Sequence, residues 1–64
     1  MAVYYALSSY NSKKRTWEHE TTTENLTRAK ERCKSESKSG KTKWRIVKEE
    51  VMYVYDEEGK IVNK

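Results

Sequence analysis

A chain of 64 residues with one histidine, His19, and one cysteine, Cys33, has few ways to make or break a bond. Nucleophilic catalysis needs a nucleophile, a base and a group to orient the base, and a zinc centre needs three or four nitrogen or sulfur ligands. His19 and Cys33 supply at most a bare dyad. Cys33 falls with Leu26 and Ala29 at helical spacings of four and three, where a small thiol reads as packing. Asp56, Glu57 and Glu58 are consecutive in one turn and lack the alternate-residue spacing of a calcium loop. The two glycines, Gly40 and Gly59, sit at turn positions and build no phosphate-binding loop. The sequence therefore predicts no catalytic residue, no metal, no cofactor and no enzymatic activity.

Charge and aromatic side chains remain. Lysine and arginine number 14 against 10 acidic residues, a net +4. Between Arg28 and Lys48 nine bases face two acids, a local +7, whereas residues 49–58 hold five acids and no base. Such a field draws phosphates or an acidic protein surface. Tyr4 and Tyr10 alternate out of phase with Val3, Tyr5 and Leu7, and Tyr53 and Tyr55 oppose Met52 and Val54. With one helix for one sheet, these tyrosines are expected on an open second face beside Lys43, Arg45 and Val47. Tyrosine and arginine are the residue types that dominate interface energetics.

The elements that must position these groups follow from periodicity. Ala2 to Tyr10 alternates as a strand, Asn11 to Lys14 forms a basic tip, and alternation resumes from Arg15 through Trp17 to Glu20, a β-hairpin. Thr21 with Glu24 three residues later fits a capping box, so a helix is expected from there to about Lys38, with Gly40 as its stop. Thr42 to Lys48 alternates as a third strand with Trp44 and Ile46 inward. After Glu49 and Glu50, the run Val51 to Tyr55 and the segment Asp56 to Val62 read as a second hairpin whose turn closes with Gly59 left-handed. The expected fold is a single α+β domain over residues 1–64. In it an antiparallel four-stranded sheet packs one face on a single helix (ββαββ), with a fifth short strand as the alternative, around Val3, Tyr5, Leu7, Trp17, Leu26, Ala29, Cys33, Trp44 and Ile46.

The run from Arg15 through Trp17 into the Thr21–Glu24 cap, followed by Trp44-Arg45-Ile46-Val47 and a Tyr/Asp/Gly hairpin, resembles the layout of small phage early proteins. Its element order is similar to that of the inhibitors of host RNA polymerase in T7-like phages. The resemblance implies a viral protein that binds one host machine and inhibits or redirects it by occupying a surface. The +4 charge departs from the strongly acidic inhibitors that mimic DNA.

The reading favoured by the residues is a non-catalytic, small basic binding protein that inhibits or modulates a partner protein. Its contact residues would be Tyr4, Tyr10, Lys13, Lys14, Arg15, Lys41, Lys43, Arg45, Val47, Tyr53 and Tyr55. Nucleic-acid binding through Lys13, Lys14, Arg15, Lys41, Lys43 and Arg45 is the alternative, and self-association through an exposed Val51–Tyr55 strand into a weak homodimer is a third. No apolar run nears the roughly 20 residues of a membrane span, the N-terminus lacks the basic-then-apolar layout of a signal peptide, and one cysteine makes no internal disulfide. A cytoplasmic protein with no membrane partner is expected.

Overall fold

The computed structural model describes residues 3–48 and 51–62; Ala2 and the Glu49–Glu50 pair lie outside them. The elements run β1 (Tyr5–Asn11), β2 (Thr16–Thr23), α1 (Leu26–Gly40), β3 (Trp44–Val47), β4 (Val51–Tyr55) and β5 (Ile61–Val62). This is an α+β domain, but the antiparallel sheet has five strands in the order β2-β1-β3-β4-β5 rather than the four expected. The fifth is the two-residue β5, which turns back at Gly59 and pairs Ile61 with Tyr55 and Val62 with Val54. β5 covers the outer edge of β4 only at Val54 and Tyr55, so along Val51–Tyr53 that edge has no strand partner among the described residues.

The first hairpin closes over Ser12–Arg15, where the Asn11 side-chain carbonyl accepts the backbone N–H of Lys13 and of Lys14, both at 3.1 Å. Arg15 completes the reversal in the left-handed region, at φ 57°. β2 is longer than its alternation suggests. Thr21, Thr22 and Thr23 pair with Leu7, Ala6 and Tyr5, so the expected capping box at Thr21 and Glu24 does not form. Asn25 caps the helix instead, its side-chain oxygen accepting the Arg28 N–H at 3.1 Å. At the other end the helix outruns Lys38 to Gly40, and Lys41, not glycine, takes the left-handed conformation (φ 53°, ψ 45°). The Ser37 carbonyl accepts N–H groups from Lys41 and Thr42 there, which satisfies a helix-end carbonyl.

α1 covers the face of the sheet that carries Leu7, Trp44, Ile46 and Tyr55, and buries Ala29 and Cys33 against them. Tyr5, Leu26, Met52 and Tyr53 pack around this cluster. Two residues expected in the core are elsewhere. Val3 precedes β1 and is 41% exposed; Trp17 pairs with Tyr10 and shares its side of the sheet, away from the helix. Burial pushes the Cys33 thiol up to about 12, with neighbouring Arg32 pulling the other way. Gly59 adopts φ +81°, and a Cβ there would stand 2.8 Å from the Lys34 carbonyl oxygen, so the second hairpin rests its turn directly on α1.

Candidate functional site

The face of the sheet that α1 leaves uncovered is where the aromatic and basic side chains meet. Strand pairing sets the rows. Tyr10 stands opposite Trp17 on one side, and its N–H donates to the Lys43 carbonyl at 2.9 Å on the other. One residue pair along, Arg45 is flanked by Ser8 and Val54, and His19 lies beyond Ser8. The next row pairs Val47 with Ala6 and with Val51. The side chains cross-link these rows. The Tyr10 and Trp17 rings meet edge to face with centroids 5.2 Å apart and planes at 60°. The Arg45 guanidinium carbon lies 4.4 Å from the Trp17 ring centroid, and Lys43 Nζ stands 6.0 Å from that of Tyr10.

Arg45 Nε is shut off from solvent and meets no hydrogen-bond acceptor among the described residues. A cation over an indole face gains roughly 0.5–2 kcal/mol, which offsets part of the cost of that unmade bond, about 1–3 kcal/mol. The guanidinium is thus fixed in place by an aromatic neighbour, with no carboxylate among the described residues engaging it. Trp17, Tyr10, Arg45, Val47 and Val54 are all half-buried, a surface shaped by packing. His19 donates to or accepts from the Thr22 hydroxyl at 2.9 Å on exposed β2, whereas Cys33 is sealed beneath the helix, so the structure assembles no Cys–His dyad.

The expected contact residues divide between four places. Tyr10, Lys43, Arg45 and Val47 are together on the open face. Lys13, Lys14 and Arg15 form the exposed tip at one end of it, next to Lys41, since Ser12, Lys41 and Lys43 line one small cleft with Tyr10. Tyr4 precedes β1, 55% exposed. The other two tyrosines are on the helix side. Tyr55 is 2% exposed in the core, and Tyr53 carries Lys30 Nζ 4.5 Å above its ring. Burial, then the nearby Cys33 and Tyr53, raises the Tyr55 hydroxyl's pKa above its ordinary value. The reason for the reversal is a bulge: Val47 pairs with Val51 but Ile46 with Tyr53, so Met52 is an extra residue and the side chains beyond it change face.

Trp17 is the residue that sequence reasoning placed wrongly for the site. Counting outward from the hairpin tip puts it opposite Tyr10, on the phase that opposes Leu7, and that count was available in the sequence. Among the described residues no three His, Cys, Asp or Glu side chains come together as a metal site, and no helix is long and apolar enough to cross a membrane. No family model, curated protein or solved structure matches the chain.

Proposed function

We propose that this is a non-catalytic binding protein that docks a partner protein on the helix-free face of its sheet and inhibits or redirects the partner by occupying its surface. A host protein bound by a phage-encoded early protein is the setting that the resemblance in layout suggests. The observation that carries the reading is Arg45 held 4.4 Å over Trp17 beside Tyr10. Tryptophan, tyrosine and arginine are the residues that carry most interface binding energy, and here they are already ordered, so docking loses little side-chain entropy. Valines at 47, 51 and 54 continue the apolar area, and the basic tip adds long-range steering.

The tip gives nucleic acid its claim as a second reading, because Lys13, Lys14, Arg15 and Lys41 crowd one end of the face that holds the two rings. The two separate in one experiment. Tagged wild-type protein and a Trp17→Ala/Arg45→Ala variant are incubated with host lysate at about 0.15 M salt, and mobility shifts with DNA and RNA are run at low salt. The expected result is one protein retained by the wild type and lost from the variant, with the variant's circular dichroism unchanged. Equal capture by both proteins overturns the reading, and a mobility shift abolished by substitutions at the tip moves it to nucleic acid.

A further inference from the structure

The helix lies over the middle strands and stops short of the edge strand β2, leaving a cleft of about 460 Å³ between them. Clefts that hold small ligands run from about 300 to 1,000 Å³. Leu7 is its floor, the last three residues of β2 (Thr21 to Thr23) one wall, and Arg28, Glu31 and Arg32 the other. We infer that this cleft binds a phosphate monoester, with the guanidinium groups of Arg28 and Arg32 taking the phosphate oxygens and the Thr21 hydroxyl donating to one of them.

Three observations support this. Arg28 and Arg32 are one helical turn apart and repel each other, a placement that weakens a helix. Neither has an ion-pair partner among the described residues, where the one ion pair is Lys60 with Glu58 at 3.9 Å. A dianion between two guanidinium forks turns that repulsion into two charge-assisted contacts. The wall opposite supplies hydroxyls from the helix side of β2: Thr23 already accepts the Asn25 N–H at 3.3 Å, while the Thr21 hydroxyl has no hydrogen-bond partner among the described residues and Thr22 turns its hydroxyl to His19 on the other face. Glu31 then sets the class of ligand. Its carboxylate disfavours a polyphosphate or a nucleic-acid backbone threading the cleft, and accepts a hydroxyl or ammonium group borne next to the phosphate. A small phosphorylated polyol and a phosphorylated side chain share that chemistry.

Amide-resolved NMR titrations test it, with inorganic phosphate, glycerol 3-phosphate and a phosphoserine-bearing pentapeptide as the three probes. The expected result is saturable shifts confined to Thr21–Thr23 and Arg28–Arg32, stronger for the two esters than for phosphate; whichever ester is tighter identifies the source. Arg32→Gln should weaken binding by roughly tenfold or more, and Arg28→Lys, which keeps the charge and loses the fork, by several-fold. Glu31→Gln should tighten inorganic phosphate and narrow the preference for the esters. Both arginines are solvent-exposed, so helical circular dichroism should be intact in each variant. Shifts spread evenly over the tip lysines, no saturation with any probe, or unchanged affinity in Arg32→Gln would overturn the assignment. The outcome is independent of whether the open face binds a protein.

Discussion

The sealed Cys33 thiol makes the fold sensitive to alkali in a calculable way. In the unfolded chain the thiol ionises near 9.0, and in the fold near 12, chiefly because burial removes water from the thiolate. Between those values the unfolded chain has given up a proton that the folded one keeps. Stability attributable to the protonated thiol is therefore fully present below about pH 9 and is lost as pH climbs toward about 12. Each pH unit in that window is worth up to about 1.4 kcal/mol, so the loss from about pH 9 to about pH 11 is about 2 kcal/mol. For a domain of this length, with total stability of roughly 3–10 kcal/mol, that is a large fraction. Urea unfolding followed by far-ultraviolet circular dichroism across this range measures it. Cys33→Ala is the comparison: it starts less stable at pH 8 because a buried atom is missing, then loses less with rising pH, and the two curves converge. Tyr55 adds alkaline lability of its own in both proteins, and part of its raised pKa comes from Cys33, so deleting the thiol widens the difference in slope. Parallel curves for the two proteins would show that the thiol is not desolvated and would refute its packing role.

Three other outcomes are expected. Gly59→Ala combines a left-handed φ with a Cβ 2.8 Å from the Lys34 carbonyl oxygen, and should cost at least about 2 kcal/mol in urea unfolding; an unchanged midpoint would mean the turn does not rest on α1. Asn25→Ala should cost about 1 kcal/mol and fray the start of α1, while Glu24→Ala should leave helical circular dichroism unchanged, which separates the observed cap from a box built on Thr21. The backbone N–H groups of Lys60 and Glu58 hold the Asp56 carboxyl below its ordinary pKa, so their bonds to it persist above the unfolded value and are lost as pH falls through the lower folded one. Amide protection factors at Glu58 and Lys60, taken relative to the unstructured rate at each pH, should fall only on that acid limb, and Asp56→Asn should remove the transition.

The parts of this fold that local pattern controls were legible in the sequence. The Leu26–Ala29–Cys33 stripe, the Trp44/Ile46 alternation, the basic hairpin tip and the left-handed Gly59 are each set within a few residues, and each is found as expected. What periodicity missed were events that shift its phase. Extra residues at Glu20 and Met52 break the alternation of β2 and β4, because a bulge places two residues of one strand against one of its neighbour. Tyr53 and Tyr55 went to the helix side by that route. Thr21 to Thr23 illustrate a competition between levels: a cap signal is worth about 1 kcal/mol, whereas remaining in β2 secures ladder bonds to β1. The candidate site was half visible for a related reason. Lys43, Arg45 and Val47 could be placed by strand phase alone, but joining Trp17 to Tyr10 required the pairing between two strands.

The contact at Gly59 links parts of the chain that are far apart in sequence. β5 has two residues and one neighbouring strand, too little to persist by itself, so its lifetime is borrowed from the helix surface beneath its turn. Whatever loosens the middle of α1 should release the terminal ribbon before the rest of the sheet responds, exposing the backbone edge of β4 at Val54 and Tyr55, at the end of the valine row. A partner gripping that row would in turn lend the helix rigidity across the thickness of the domain.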